Sequence, residues 1–253
     1  MIKVNFHIPY QQYGFVELQG NTKDLPDMEK LQERYAERAV KFSSGVWKKL
    51  TTFTNEEVEY NEETHQYRDL NGNILIGGST YAKQFEAPFD KLKISQAYAV
   101  KNNMAQQDVL DIWETNGKLS RLLGTTLHLA MENYFKHNGQ PAYNIPKSPY
   151  LAQAIQSCII KDETVHSEIM VSDIRNGRVG QVDLLVETEE KKGYIVDWKT
   201  DFSVKKNLVK HFNQLSYYAN ILIEHGWNID RVEVHNFVEN QWDVHTSEVL
   251  PIK

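Results

Sequence analysis

Cysteine is almost missing from this chain of 253 residues, which contains Cys158 and no other. A single cysteine excludes a disulfide within the chain, and it excludes an iron–sulfur cluster or zinc site built from several cysteines. Apolar runs of ~18 residues, the length that a membrane span requires, are also missing. We therefore expect a cytoplasmic protein with no membrane partner.

Two further absences concern function. The chain has no G-x-x-x-x-G-K-[ST] motif, so we expect neither bound ATP nor a motor activity. It also lacks an excess of positive charge, since its formal net charge is −6. That balance counts against a protein whose main task is to hold nucleic acid. It does not exclude an enzyme acting on nucleic acid, because a metal site itself concentrates carboxylates.

The hydrophobic patterns of the first half predict mixed elements. Residues 28–49 have the apolar spacing of a helix, and Asn71-Gly72 is a typical hairpin turn between two strands. Residues 89–138 are predicted to be mostly helical, with the last helix capped by Ser120 and stopped by Gly139. Residues 150–160 are predicted to form another helix.

The second half has a different character. HSEIMVSD, GRVGQVDLLVET and KGYIVDWKTD predict three strands, and NLVKHFNQLSYYANILIEHG predicts an amphipathic helix. VEVHNFVENQWDVHTSEV predicts a closing hairpin. We therefore expect an α/β (α+β) protein in which residues 116–253 form a core with a central mixed sheet flanked by helices. Residues 1–115 would form an N-terminal α+β extension.

One predicted hairpin carries a group of charged side chains. Asp197 and Lys199 share one strand face, because successive side chains alternate. If the preceding turn is centred on Glu190, Asp183 lies directly opposite Asp197, with Cβ atoms ~4.5–5.5 Å apart. Two carboxylates at that distance repel each other unless a positive charge lies between them, and Mg²⁺ is one such charge. A structural salt bridge remains the alternative, and a one-residue slip in register would separate the faces.

Five sequence features together resemble a known family. They are G-T-T-L-H at Gly124–His128, Glu168 on the first core strand, G-Q-V-D-L-L at Gly180–Leu185, I-V-D-W-K-T at Ile195–Thr200 and Q-L-S-Y-Y at Gln214–Tyr218. In this order they resemble the RecB-like branch of the PD-(D/E)XK nuclease superfamily. The resemblance covers roughly residues 124–223 and implies a restriction-endonuclease-like core.

The resemblance also implies roles for individual residues. The metal ligands would be His128, Asp183, Asp197 and the backbone carbonyl of Trp198. Lys199 would be the catalytic lysine, and Gln214 and Tyr218 would position substrate or brace the site. The implied catalytic group as a whole is Lys199, Asp197, Asp183, Glu168, Gln214 and Tyr218.

Three lysines near the start of the last predicted helix are candidates for contact with substrate. Lys205, Lys206 and Lys210 precede or enter the helix that carries Gln214. Such charges either contact the phosphates of a nucleic acid or form a solvated surface. Both interpretations stay open.

The function that these features imply is a Mg²⁺- or Mn²⁺-dependent nuclease acting on DNA, as an exonuclease rather than an endonuclease. Compact members of this kind occur in phages and mobile elements, which implies replication or recombination in a host cytoplasm. By analogy, a phage recombination protein or a single-strand-binding protein would be a partner, and the oligomeric state stays open. The alternatives are a catalytically inactive DNA-binding or assembly subunit of the same fold, and an unrelated protein whose strand acids are structural.

The hypothesis makes a geometric prediction. Asp183, Asp197 and Lys199 should converge on one face of the central hairpin, with His128 reaching in from a helix. Side chains that point apart would count against a nuclease.

Overall fold

The computed structural model describes residues 47–61, 64–86, 88–136, 148–160 and 164–252. The strands predicted at the N-terminus, most of the predicted helix at 28–49, and Gly139 lie outside the described residues. The last residues of that predicted helix are described, and they begin a strand at Lys48 instead.

Nine strands form one mixed sheet within the described ranges. They are β1 (Lys48–Thr51), β2 (Glu57–Asn61), β3 (Gln66–Asp69), β4 (Ile74–Gly77), β5 (Thr164–Asp173), β6 (Arg178–Glu189), β7 (Lys192–Lys199), β8 (Asn228–Val238) and β9 (Gln241–Glu248). The α-helices there are α1 (Gly78–Ala82), α2 (Lys91–Asn102), α3 (Gln106–Lys136), α4 (Pro149–Gln156) and α5 (Val204–Glu224). The predicted α/β class with a mixed central sheet is confirmed.

Strand β6 is the branch point of the sheet. Along one edge, its residues 178–187 pair antiparallel with β5, with a gap at Asp183. Its other edge pairs in parallel with β4 at Arg178 and Val179, and antiparallel with β7 from Leu184 onward. Residues 180–183 of β6 lie between these two pairings. The sheet therefore has an opening at this edge, where β4 and β7 diverge.

Helices cover both faces of the sheet around this branch point. On one face α3 and α4 bury an apolar cluster against the sheet, and on the other face α5 does the same. The α3 face includes Leu127, Ala130, Met131, Leu151, Leu184, Val196 and Trp198. The α5 face includes Val182, Leu185, Ile195, Leu215, Ala219 and Leu222. Burial of these side chains fixes which sheet positions each helix can reach.

Several predicted elements are confirmed and two details differ. Gly72 has φ +89° in the turn between β3 and β4, as expected for Asn-Gly. Ser120 does not cap a helix, because α3 runs without interruption from Gln106 to Lys136. The predicted boundary between residues 115 and 116 falls inside α3, and β4 joins the same sheet as the core strands. Chain continuity and strand pairing thus join the two predicted regions.

The part of the chain that the structure describes contains no helix with both the length and the apolar character needed to cross a membrane.

Candidate metal centre at the opening of the sheet

Three acidic residues stand in one row across three adjacent strands. In the β5–β6 ladder, Ser167 pairs with Leu184 and Ile169 pairs with Val182, which leaves Glu168 opposite Asp183. In the β6–β7 ladder, Leu184 pairs with Val196. The same register continued by one residue places Asp197 opposite Asp183, so the predicted register of this hairpin is confirmed.

The regular alternation of side chains breaks at this row. Val182 packs in the core on the α5 face, whereas Leu184 packs in the core on the α3 face. Regular alternation would place both on one face. In β5 the neighbouring Glu168 has φ +52°, a left-handed conformation that is unusual for a non-glycine residue in a strand. The break turns Asp183 and Glu168 toward α3.

Asp197 reaches the opening from the other face. Val196 and Trp198, its neighbours in β7, both pack on the α3 face, so the side chain of Asp197 projects toward α5. Asp183, Asp197 and Lys199 therefore converge on the opening from two faces rather than from the single face predicted, because alternation along β6 is not regular. The two carboxylates still meet at the opening, where the charge of Asp183 acts on Asp197.

His128 reaches this point from α3, as predicted. Its Nδ1 lies 3.3 Å from Asp183 Oδ2, and its Nε2 donates to the backbone carbonyl of Trp198 at 2.8 Å. One ligand atom each from His128, Glu168 and Asp183 lie within 4.8 Å of one another, close enough to hold one metal ion. Asp197 lies beside this group without joining it.

The backbone of Trp198 ties the two strands together at the opening. Its N–H donates to Asp183 Oδ2 at 2.9 Å, so a side chain supplies the acceptor where the ladder has stopped. Its carbonyl accepts from His128 Nε2. Of the predicted metal ligands, His128 therefore contacts both Asp183 and the carbonyl of Trp198.

Each acid of the row has a different partner. Asp183 pairs with His128, and Asp197 forms a partly buried ion pair with Lys199. Glu168 Oε2 accepts a hydrogen bond from the neutral amide of Gln181 at 2.5 Å. Like charges this close destabilise one another, so the partners reduce a repulsion that strand geometry alone would leave.

These contacts shift the pKa values of the titratable groups. Burial disfavours the charged form of His128, but Asp183 outweighs burial and raises the pKa of His128 to about 9. Burial likewise disfavours ionised Asp183, yet the charge of His128 lowers its pKa to about 2. Without a metal, the imidazole is therefore protonated at neutral pH and acts as the countercharge of Asp183.

The other two acids are shifted in the opposite direction. Burial, with the charge of Asp183 added, raises the pKa of Glu168 to about 7. Burial also raises the pKa of Asp197 to about 6, although Lys199 opposes the shift. Burial alone would lower the pKa of Lys199, but Asp197 and Asp183 raise it above its ordinary value. Lys199 therefore remains an ammonium ion.

An open cleft of about 420 Å³ lies over the histidine and two of the acids. Its walls come from α3, β5 and β6, and its lining residues are Gly124, Thr125, His128, Leu129, Glu132, Glu168, Gln181 and Asp183. The group of three metal-ligand candidates is therefore accessible from outside the sheet.

Gln214 and Tyr218 occupy the opposite face and brace the strands. Gln214 Nε2 donates to the hydroxyl of Tyr218 at 2.9 Å, and Tyr218 is only 5% exposed. The Tyr218 ring lies so close to Gly78 and Gly180 that a Cβ atom at either glycine would overlap it. Of the two predicted roles, this contact favours bracing, since Gly180 lies at the start of the opening in β6.

The three candidate lysines do not gather at the cleft. Lys210 forms an ion pair with Glu86, and Lys205 Nζ lies 3.8 Å from Asp243 Oδ2. Lys206 is exposed at the start of α5. The described residues that line the cleft include none of the three. Their contact with phosphates stays a prediction.

Sequence reasoning did not single out Gln181, which lines the cleft and contacts Glu168. Gln181 lies two residues before Asp183 in β6, so simple alternation would have placed it beside Asp183. Thr125 was likewise seen only as a position within the G-T-T-L-H motif. One turn of α3 separates it from Leu129, which also lines the cleft.

Comparison with known proteins adds little to this picture. No family model matches the chain, and no curated protein matches it. A solved structure described as "Crystal structure of SSO0001" aligns with 15% sequence identity over 92% of this chain and 80% of that chain, with a TM-score of 0.37. A likeness at this level supports no conclusion about function.

Proposed function

We propose that this protein is a nuclease that uses Mg²⁺ or Mn²⁺ to hydrolyse phosphodiester bonds in DNA. One observation carries the proposal: His128, Glu168 and Asp183 gather in a cleft beside the partly buried Lys199–Asp197 pair. The resemblance of the sequence motifs supports the same activity and favours an exonuclease of the phage type.

The donor atoms fit a divalent cation of this kind. Two carboxylates and one imidazole offer hard oxygen ligands together with a nitrogen that Mn²⁺ accepts readily. Asp197 and the carbonyl of Trp198 lie within the same opening and would complete the set that the resemblance implies. When bound, the cation would polarise a phosphoryl oxygen and make a coordinated water more acidic.

The chain's own residues would divide the remaining work. Lys199 keeps its proton and donates to Trp198 O at 3.3 Å, so it would stabilise negative charge that develops on the phosphate or orient the attacking water. Glu168 has a pKa of about 7 and would give up its proton near neutral pH. Tyr218 would keep β6 and α5 in register behind the site.

The proposal is tested with purified protein and linear, nicked and closed circular DNA, with Mg²⁺, with Mn²⁺ and with EDTA. An Asp183→Asn variant keeps the shape of the side chain and removes its charge. Asp243→Asn on β9 is the matched control, because it makes the same change away from the cleft. We expect metal-dependent loss of linear DNA with wild type and control, and no loss with Asp183→Asn.

The other outcomes separate the alternatives. Cleavage of closed circular DNA would identify an endonuclease. Retardation of DNA without cleavage would indicate a DNA-binding subunit and contradict the proposed activity. If wild type neither cleaves nor retards DNA, any role on DNA is contradicted. Cleavage that Asp183→Asn leaves unchanged would contradict the role of this site.

A further inference from the structure

We infer that Gln181 is a positioning residue, whose side-chain amide holds the carboxylate of Glu168 toward the cation site. The inference rests on the proposed function, because it concerns the same candidate metal centre. It concerns a residue outside the motif positions that the sequence resemblance assigns.

The first observation is the contact itself. Gln181 Nε2 donates to Glu168 Oε2 at 2.5 Å, across two neighbouring strands. Gln181 pairs through its backbone with Met170 in β5, so its position is fixed by the ladder two residues beyond Glu168. Both side chains line the cleft. The amide therefore reaches Glu168 from a rigid strand.

The second observation is that Glu168 needs an external constraint. Its φ of +52° interrupts the β5 ladder at the point where its side chain enters the cleft. A non-glycine residue in this conformation persists only when its surroundings favour it. The carboxylates of Asp183 and Glu132 repel ionised Glu168, and the charge of His128 opposes this repulsion. Neither charge fixes the direction of the carboxylate as the hydrogen bond from Gln181 does.

The third observation concerns how the charges of the row are matched. Asp183 has the imidazole of His128, and Asp197 has the ammonium of Lys199. Glu168 has the neutral amide of Gln181. A neutral donor orients a carboxylate without neutralising it, which leaves its negative charge available to a cation. Hydrogen bonds of this kind to metal-binding carboxylates tune affinity for the metal.

The structure also separates this role from a contribution to stability. Gln181 is exposed, so replacing its side chain should change the stability of the fold little. A loss of cation affinity at unchanged thermal stability would therefore be specific to positioning.

The experiment measures Mn²⁺ binding by the electron paramagnetic resonance signal of free Mn²⁺. The proteins are wild type, Gln181→Met, Glu168→Ala and the double variant. Methionine keeps most of the side-chain volume and removes the amide donor. Gln156→Met at the exposed end of α4 is the matched control. Melting temperature is measured on every protein.

We expect Gln181→Met to weaken Mn²⁺ binding about tenfold, at the lower end of losses seen for partners of metal ligands. In the Glu168→Ala background the same substitution should have no further effect, because the group that it positions is gone. Gln156→Met should bind like wild type.

Three results would contradict the inference. Unchanged affinity in Gln181→Met, with tight binding by wild type, would overturn the role of Gln181 and leave the proposed function standing. An equal loss in the Glu168→Ala background would show that Gln181 does not act through Glu168. Failure of wild type to bind Mn²⁺ would overturn both the inference and the proposed metal site.

Discussion

The two faces of the sheet use their polar residues in opposite ways. On the α3 face, His128, Glu168 and Asp183 surround an open cleft, and their contacts include one another, Gln181 and the backbone of Trp198. On the α5 face, Tyr218 is buried, and its ring fills the space above two glycines. One set of residues lines an open cleft and the other fills a gap in the structure.

The difference shows that the motif residues make two kinds of contribution. Residues of the G-x-x-x-H and G-x-V-D patterns supply donor atoms to the cleft, whereas Q-x-x-x-Y supports the strand that carries Asp183. Lys199 and Asp197 fall between the cleft residues and the supporting residues, because they enter the opening from the α5 side. Substitutions on the two faces should therefore separate chemistry from stability.

The largest effect is expected for Lys199→Ala. Loss of the ammonium should lower metal-dependent hydrolysis about 10²- to 10³-fold, while Mn²⁺ affinity stays close to that of wild type. Hydrolysis rates and calorimetric titration with Mg²⁺ or Mn²⁺ would be measured well below the melting temperature, because the variant leaves Asp197 without its partner. Lys101→Ala, at the exposed end of α2, is the control. Lost cation affinity in Lys199→Ala would contradict the role assigned to Lys199.

The second-largest effect concerns stability, and it is expected to differ between the two motif glycines, Gly180 and Gly124. A Cβ atom at Gly180 would overlap the Tyr218 ring, so Gly180→Ala should destabilise the fold by about 1–3 kcal/mol. For a chain of this length that corresponds to a fall in melting temperature of about 2–12 °C. A Cβ atom at Gly124 would meet only Thr200 Oγ1, at 3.7 Å.

Gly124→Ala should therefore leave the melting temperature unchanged or raise it slightly, because alanine favours a helix. Equal destabilisation by the two substitutions would remove the distinction between the faces.

A third prediction uses pH on cation-free protein. The pKa of His128 is raised to about 9 in the folded state, above its ordinary value of 6.5. Protonated His128 therefore contributes stability that is complete below about pH 6.5 and is lost as the pH rises through about 9. In EDTA, the melting temperature of wild type should fall across this range by a few degrees more than that of His128→Gln. Parallel curves for the two proteins would argue against a charged His128–Asp183 pair.

The smallest effect is expected for Tyr218→Phe. The substitution keeps the ring against Gly180 and removes the hydroxyl that accepts from Gln214. A loss of about 1 kcal/mol is expected, the usual net value of one buried hydrogen bond. Chemical denaturation would measure it, and Mn²⁺ affinity should not change. A large loss of cation affinity would show that Tyr218 acts in the site rather than behind it.

Much of the architecture could be predicted because it depends on local pattern. The hairpin around Glu190 has a short turn and strongly alternating strands, so its register followed from counting residues. The amphipathic spacing of α5 predicted its buried face in the same way. Ser120 was misleading because a residue that caps helices is also tolerated inside a long helix. The helix continues through Ser120, and its burial through Leu127 and Met131 outweighs the local preference for a cap.

The parts of the site that could not be predicted depend on long-range contacts. The left-handed backbone at Glu168 and the break in alternation at Asp183 arise where two strands distort together, and neither strand reveals this alone. Gly180 matches a motif position. Glycine is required there because a Cβ atom would overlap the ring of Tyr218, thirty-eight positions later in a helix. Such requirements become visible only when the elements are in contact.

The central claim is that His128, Glu168 and Asp183 hold a divalent cation on the α3 face of the sheet. The most direct test is a crystal grown with Mn²⁺ and measured at the manganese absorption edge. We expect an anomalous peak between these three side chains. Lys199 should keep its present distance from each of them. A well-ordered cleft without such a peak, at Mn²⁺ concentrations that saturate hydrolysis, would contradict it.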